Sequence, residues 1–399
     1  METAYKIVTL GDVHWDAPDL PPELLEREFD TILLPWLRTN SFDALIQSGD
    51  WFDRRMSLDS ASSKIAIRML VKLCQICQER NVPFRIIKGT LSHDYTQLIN
   101  YKPLETEYSM FRIISSADTE ELLPDFDVLW MPEEYPTDYS DFYSKFFFDG
   151  DGNPKVYDGI FGHGEIDVAA NWSSMNESER HYGGTPCHEG AFLLESCSGP
   201  VWFGHIHKEF VYKKRLGYPG TFSRWIFGEE TDKGFDILTV SKKDSQEMWK
   251  VSREKVVNTL AREYTTYTLA QLASVSDSLD EIIVKIRAAV GTAYKIRVMV
   301  EDFPLSVEDL SVLRGSLVSD RNIVIVSVAR AVTSTITADE TANDNDTQQV
   351  VLQERAQRLA YLRDVNVPSE ERLLRYLKER YPDQDEVTLD DVRQLTAPI

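Results

Sequence analysis

Apolar positions along the first hundred residues change period several times, and each change marks an element. Tyr5 to Leu10 alternates, is rich in β-formers and runs into Gly11, which predicts a strand ending at Asp12 and His14. Glu23 to Arg38 carries apolar residues at helical spacing and predicts a helix returning the chain to a second strand, Asp43 to Gln47. Ser60 to Arg80 repeats the helical pattern, and Pro83 to Lys88 predicts a third strand that ends in Gly89. This β-α-β-α-β order predicts a largely parallel sheet with right-handed crossovers and ligands gathered at the strands' C-terminal ends.

Between Met131 and Asn153 the pattern fades into aromatic and acidic residues, which predicts an insertion over the surface. Asp149-Gly150-Asp151-Gly152-Asn153 begins like a calcium loop. Pro154 stands where that loop needs glycine and Ile160 where it needs glutamate, so a turn is expected. Tyr157 to Phe161 and Val201 to Phe203 read as short strands, and Phe210 to Leu216 with Gly234 to Val240 as antiparallel strands closing a second sheet. From about Ser252 the spacing predicts strand, helix, strand, helix and strand over Tyr264–Leu269, Leu279–Val290, Tyr294–Val300, Val307–Val318 and Asn322–Val328, a compact α+β module. Thr333 to Thr347 is polar and acidic without pattern, a flexible linker. Beyond it Leu352, Leu359 and Leu362, then Leu373, Leu374 and Leu377, recur at helical spacing after the cap at Pro368-Ser369-Glu370-Glu371. The expected domains are 1–250, 251–332, a linker at 333–347 and a helical tail at 348–399.

Composition narrows the function classes. The 399 residues carry a net charge of −22, so the chain repels nucleic acid overall; contact with DNA then needs bound divalent cations, a local basic patch or a basic partner. No apolar run reaches membrane-spanning length, and Met1 to Lys6 leads straight into a strand, so a cytoplasmic protein with no membrane contact is expected. With 4 cysteines a disulfide framework is not expected, and Cys74-Gln75-Ile76-Cys77, lying among Ala66, Met69, Leu70 and Leu73 at helical period, reads as core.

The chemistry sits at the strand ends. Gly11-Asp12-Val13-His14, Gly49-Asp50-Trp51-Phe52-Asp53-Arg54, Gly89-Thr90-Leu91-Ser92-His93-Asp94, Gly162-His163 and Gly204-His205-Ile206-His207 hold five of the 7 histidines, a concentration that scattered core histidines would not give. Asp50 can bridge two cations about 3.5–4 Å apart, with Asp12, His14, His163, His205 and His207 closing the shell. Carboxylate with imidazole suits manganese, zinc or iron. His93 is placed to protonate a leaving oxygen, with Asp94 or Asp53 to orient its ring. His181 and His188, around Gly183-Gly184, read as solvated loop residues.

In this order the motifs resemble the calcineurin-like metallophosphoesterases, and within them the SbcD-type nuclease subunits of double-strand-break repair, including phage-encoded forms. The run from Gly217 to Glu229 with Lys233-Gly234-Phe235, the small module and the tail follow the same layout. The resemblance implies an α/β two-sheet sandwich flanked by helices, with a capping domain and a helical tail. It also implies a DNA exonuclease or endonuclease using two divalent metals, manganese first and magnesium, zinc or iron as substitutes. The implied partners are double-stranded DNA ends, a coiled-coil ATPase of the SbcC type docked on the tail, and a second copy of the chain met through Ser60–Arg80 and Gln97–Phe111. The setting is a bacterial or phage-infected cytoplasm. No phosphate-binding Gly-Lys-Ser/Thr loop occurs, so ATP dependence would belong to the partner. The family has asparagine immediately before the histidine that corresponds to His93; here Ser92 stands there and is expected to be a weaker metal ligand. Lys208, Lys213, Lys214, Arg215 and Arg224 are the expected DNA contacts. The competing readings are a phosphodiesterase or phosphatase for small molecules or proteins, and a DNA-end scaffold with a weakened site.

Overall fold

The computed structural model describes residues 3–94, 97–136, 139–170, 187–229, 231–244, 247–291, 293–300 and 303–327. The expected linker and helical tail, with the docking role assigned to it, lie outside the described residues, as does His181.

Among the described residues two six-stranded sheets form an α/β sandwich. The first runs Lys250–Val257, Gly234–Lys242, Thr3–Leu10, Ala44–Gln47, Phe84–Ile87, Phe111–Ile114, parallel from Thr3–Leu10 onward. The second runs Phe210–Tyr212, Leu216–Tyr218, Val201–Gly204, Gly159–His163, Phe126–Met131, Asp118–Leu123, with a parallel centre. Strand side chains alternate between faces, and the buried runs divide accordingly. Ile7, Ala44, Ile46, Val128, Trp130, Phe161 and Trp202 fill the layer between the sheets. Their neighbours Val8, Leu45 and Phe84 pack under the helices of the first sheet, and Leu129, Ile160 and Phe203 under those of the second. Both faces of the central strands are therefore apolar, which leaves polar side chains only the strand ends.

The helix predicted over Glu23 to Arg38 is continuous but widens at Phe29–Leu33 into a π-turn, where the Leu34 N–H reaches the Phe29 carbonyl. Pro35 has no N–H to give, and the shifted register absorbs that loss. Ala61–Arg80 follows the Ser60 cap, buries Cys74 and Cys77 and ends at a left-handed Asn81. Met131 to Asn153 is less bare than expected: Tyr139–Phe147 is a helix that seats Tyr143 and Phe147 on the second sheet. Asp149 closes the expected turn, accepting from the Asp151 and Asn153 N–H groups at 2.9 and 2.8 Å.

Three readings change. Phe210 to Leu216 is a hairpin instead of one strand, turning at Lys213 and Lys214 with φ of 46° and 62°. Gly234–Lys242 pairs with Thr3–Leu10 in the first sheet, not the second, and Lys250–Val257 extends that sheet past the boundary expected at 250. The strands Tyr264–Thr268, Lys295–Val300 and Ile323–Ser327 of the small module are all parallel, so its helices are crossovers between successive strands. No described helix is long and apolar enough to cross a membrane.

Candidate metal centre

The C-terminal ends of six parallel strands meet at one rim. Thr3–Leu10 delivers Asp12 and His14, Ala44–Gln47 delivers Asp50 and Asp53, and Phe84–Ile87 delivers Thr90, His93 and Asp94. From the second sheet, Phe126–Met131 delivers Glu133, Gly159–His163 delivers His163, and Val201–Gly204 delivers His205 and His207. The loops cross so closely that a Cβ on Gly49 would sit 2.2 Å from His163 Nδ1, and one on Gly204 would sit 2.1 Å from the Ser48 carbonyl. His14, Asp50 and His205 hold positive φ of 54°, 52° and 103°. Such conformations cost about 1–3 kcal/mol each and survive where surrounding structure enforces them.

Two groups of donors share Asp50. Donor atoms of His14, Asp50 and His93 lie within 4.8 Å of one another, as do those of Asp50, His163 and His205. In the first group His14 Nε2 and His207 Nε2 face each other at 3.0 Å. The Nδ1 of His14 is turned to Asp53 Oδ1 at 3.4 Å, and that of His207 to Glu229 Oε1 at 3.0 Å. The two Nε2 atoms converge on one point, an arrangement that fits a shared cation. In the second group His163 gives its Nδ1 proton to the Ser48 carbonyl at 2.7 Å and points Nε2 at Asp50 Oδ2, 3.4 Å away. Thr90 supplies its N–H to Asp50 Oδ1 at 2.7 Å, and its hydroxyl lies 3.2 Å from both Asp50 Oδ2 and Glu133 Oε2.

The field in this pocket favours positive charge. Burial alone would raise Asp50, but the charge and hydrogen bond of His163, then His93 and His14, hold it well below the usual carboxylate range. Burial would lower His163, yet Asp50, Asp12 and Glu133 push it up to about 10, so a proton stands where cationic charge is wanted. Burial takes His205 down to about 3 and keeps its ring neutral and able to ligate. Asp12 is fully buried, and its Oδ2 has no hydrogen-bond partner among the described residues. An orphaned buried carboxylate oxygen beside converging imidazoles fits a pair of divalent cations.

His93 turns Nδ1 to the backbone carbonyl of Asp53, which leaves Nε2 for the pocket. Asp53 therefore orients His93 through its main chain, while its carboxylate serves His14. Asp94 does not orient His93. Its Oδ2 accepts the N–H groups of Asp50 and Gly89 at 3.0 and 2.8 Å and its Oδ1 that of Phe52 at 3.1 Å, so it ties two ligand loops together. Burial and then the Asp50 charge raise Asp94 to about 7.

Ser92 is exposed on the turn, and among the described residues no hydrogen bond joins it to the cluster. Thr90, two residues earlier, enters instead. Arg215 and Arg224 also depart from expectation. Arg215 donates to the Cys197, Gly199 and Leu194 carbonyls, and Arg224 to those of Glu229, Thr231, Ala261 and Arg262. Both brace backbone. Lys213 and Lys214 are exposed at the hairpin tip and Lys208 is half-buried. His188 is buried against Tyr143 and Phe203, where burial lowers it to about 3, so it is no solvated loop residue.

Sequence reading missed Thr90, Glu133, Glu229 and Lys233. Glu133 ends an apolar strand just as Asp50 does, and that signal was there to find. Lys233 donates to the His207 carbonyl at 2.9 Å and lies 3.6 Å from Glu229 Oε2, so it locks the carboxylate that orients His207. Burial and the nearby charges of Arg224 and Lys255 bring Lys233 down to about 8 against the pull of Glu229.

No family model and no curated protein matches the chain. Two solved structures are similar to part of it. One covers 63% of this chain and 99% of its own at 14% identity with a TM-score of 0.36. The protein TT1561 of Thermus thermophilus covers 63% and 99% at 13% identity with a TM-score of 0.30. Likeness at this level carries no functional argument.

Proposed function

We propose that the chain is a two-cation phosphodiesterase that cuts DNA, a nuclease subunit of the SbcD type within the calcineurin-like metallophosphoesterases. The observation that supports it is the sharing of Asp50 by two donor groups, His14 with His93 and His163 with His205, at one rim. Asp12, His14, Asp50 and His207 would hold one cation and Asp50, His163 and His205 the other, manganese suiting this mixture of carboxylate and imidazole best. When bound, such a pair supplies Lewis-acid activation of water and of the phosphoryl oxygens.

The chain's own residues supply the rest. His93, fixed through Nδ1 by the Asp53 carbonyl, donates its Nε2 proton to the leaving oxygen. Glu229, 3.0 Å from His207 Nδ1, and Asp53, 3.4 Å from His14 Nδ1, would orient these two imidazoles. Lys208, Lys213 and Lys214 lie along the chain just after His207 and would meet backbone phosphates, which an acidic chain needs. The partners in this reading are double-stranded DNA ends, an SbcC-type ATPase and a second copy of the chain.

The test is cleavage of linear duplex DNA beside a chromogenic phosphodiester, each with manganese and with chelator. Manganese-dependent loss of the linear duplex is expected, with hydrolysis of the simple diester as well. Diester hydrolysis without DNA cleavage would make the chain a small-molecule phosphodiesterase; DNA retention without any hydrolysis would make it a scaffold.

A further inference from the structure

We infer that Glu133 is an anionic ligand of the second cation pocket, filling with Thr90 the place that a neutral amide holds in the family this chain resembles; the inference rests on the two-cation reading. Glu133 leaves the end of Phe126–Met131, the strand paired in parallel with the one that carries His163. Its N–H donates to the Lys88 carbonyl at 3.3 Å, which binds it to the loop that brings Thr90 from the opposite sheet. The residue is 1% exposed.

Its two oxygens are used differently. Oε1 accepts the Tyr135 hydroxyl. Oε2 turns into the pocket, 3.8 Å from His163 Nε2, 3.8 Å from His205 Nδ1 and 3.2 Å from the Thr90 hydroxyl. Among the described residues no lysine or arginine pairs with this carboxylate; its ion-pair neighbours are the two imidazoles. A carboxylate buried this completely, faced only by imidazoles it shares with Asp50 and by two hydroxyls, is costly unless a further cation is supplied from outside. Thr90 alone is a weak neutral donor, and Ser92 points elsewhere, so without Glu133 the second pocket would be short of hard oxygen.

An anionic oxygen in place of an amide has a consequence for charge. With Asp12 and Asp50 it brings three carboxylates to a site built for two divalent ions, so the second ion is held more firmly while the loaded centre stays net positive toward phosphate.

The experiment is a manganese titration of the full chain by calorimetry, with electron paramagnetic resonance counting bound ions, on the unaltered protein, Glu133→Gln, Glu133→Asp and Ser92→Ala. Two ions are expected for the unaltered protein and for Ser92→Ala. Glu133→Gln should retain the first and bind the second at least about 10-fold more weakly, with Glu133→Asp between them. Thermal unfolding in chelator should find Glu133→Gln at least as stable as the unaltered protein, because it removes one of the three carboxylates crowded into the empty pocket. Two ions of unchanged affinity in Glu133→Gln would overturn the ligand role and leave the two-cation reading standing. A metal-free midpoint that falls while cation affinity is kept would also overturn it, by making Glu133 structural. An unaltered protein that binds no manganese would overturn the two-cation reading itself.

Discussion

The rim of the sandwich and the small module at Tyr264–Ser327 are built on opposite plans. The module follows local rules at its helix starts: Thr268, Ser278 and Ser306 open its helices with capping boxes closed by Gln271, Glu281 and Asp309. Its core is aliphatic, from Ile282, Ile286, Ile296, Val298 and Leu313, and its charges pair outside, as Lys285 does with Asp277 and Arg287 with Asp320. At the rim Asp12, Asp50, Glu133 and His163 are buried, and three proposed ligands sit in left-handed backbone. Buried charge and left-handed backbone gathered at one rim mark a place where local preference gives way to the arrangement of these side chains.

Removing a rim charge should therefore cost activity first. Asp50→Asn keeps the side-chain size and tolerates a φ of 52°, but removes the oxygen charge shared by both donor groups. Manganese-dependent cleavage should fall to the chelator background, and the metal-free melting temperature should fall as well, because the His163 proton loses the charge that holds it. Near-full cleavage would end the two-cation reading. His93→Ala comes next, with an expected loss on the order of 10²–10⁴-fold in cleavage rate at unchanged manganese stoichiometry. Loss of bound ions in that variant would move His93 from proton donor to ligand.

The module should behave the other way. Ile286→Ala empties a fully buried position and should destabilise by about 2–5 kcal/mol in denaturant unfolding, with cleavage per folded molecule unchanged. A matching fall in activity would mean that the module helps shape the site.

Between the two regions lies Glu28, whose Oε2 accepts from Asn258 at 2.7 Å just before the module begins. Burial raises its carboxyl to about 7 against the ordinary 4.5. Between those values the folded chain keeps a proton that the unfolded chain releases, so stability falls as pH climbs through the window and is level above it. Glu28→Gln should abolish that fall, with little difference from the unaltered protein near pH 4.5 and a gain of up to about 3 kcal/mol above pH 7. A difference that shrinks as pH rises would show the carboxyl stabilised in its charged form.

The sandwich was legible because alternation and helical period differ so plainly in Tyr5–Leu10 and Ser60–Arg80, and the rim because glycine followed by aspartate or histidine recurs at strand ends. Lys250–Val257 was not. It is an edge strand with alternate residues half-exposed, and its lysines, arginine and glutamate hide the period. Thr90 could not be told from Ser92 while the loop left the register open. Arg215 and Arg224 looked like phosphate contacts because composition records a guanidinium but not whether it faces water or turns in to backbone carbonyls. Glu133 was lost inside a stretch taken for surface, although it follows a buried strand.

Asp94 makes the site independent of its contents. Three main-chain N–H groups from two separate loops converge on one carboxylate beneath the ligands. The loops are then held by the protein's own bonds, whichever ions are bound. In small zinc domains the ion is part of the fold, and a chelator unfolds them. Here emptying the pocket should leave the rim's shape in place, ready to refill, so on the two-cation reading the supply of free manganese would turn the proposed cleavage on and off within one folded lifetime. The scaffold persists through scarcity, and only the chemistry waits.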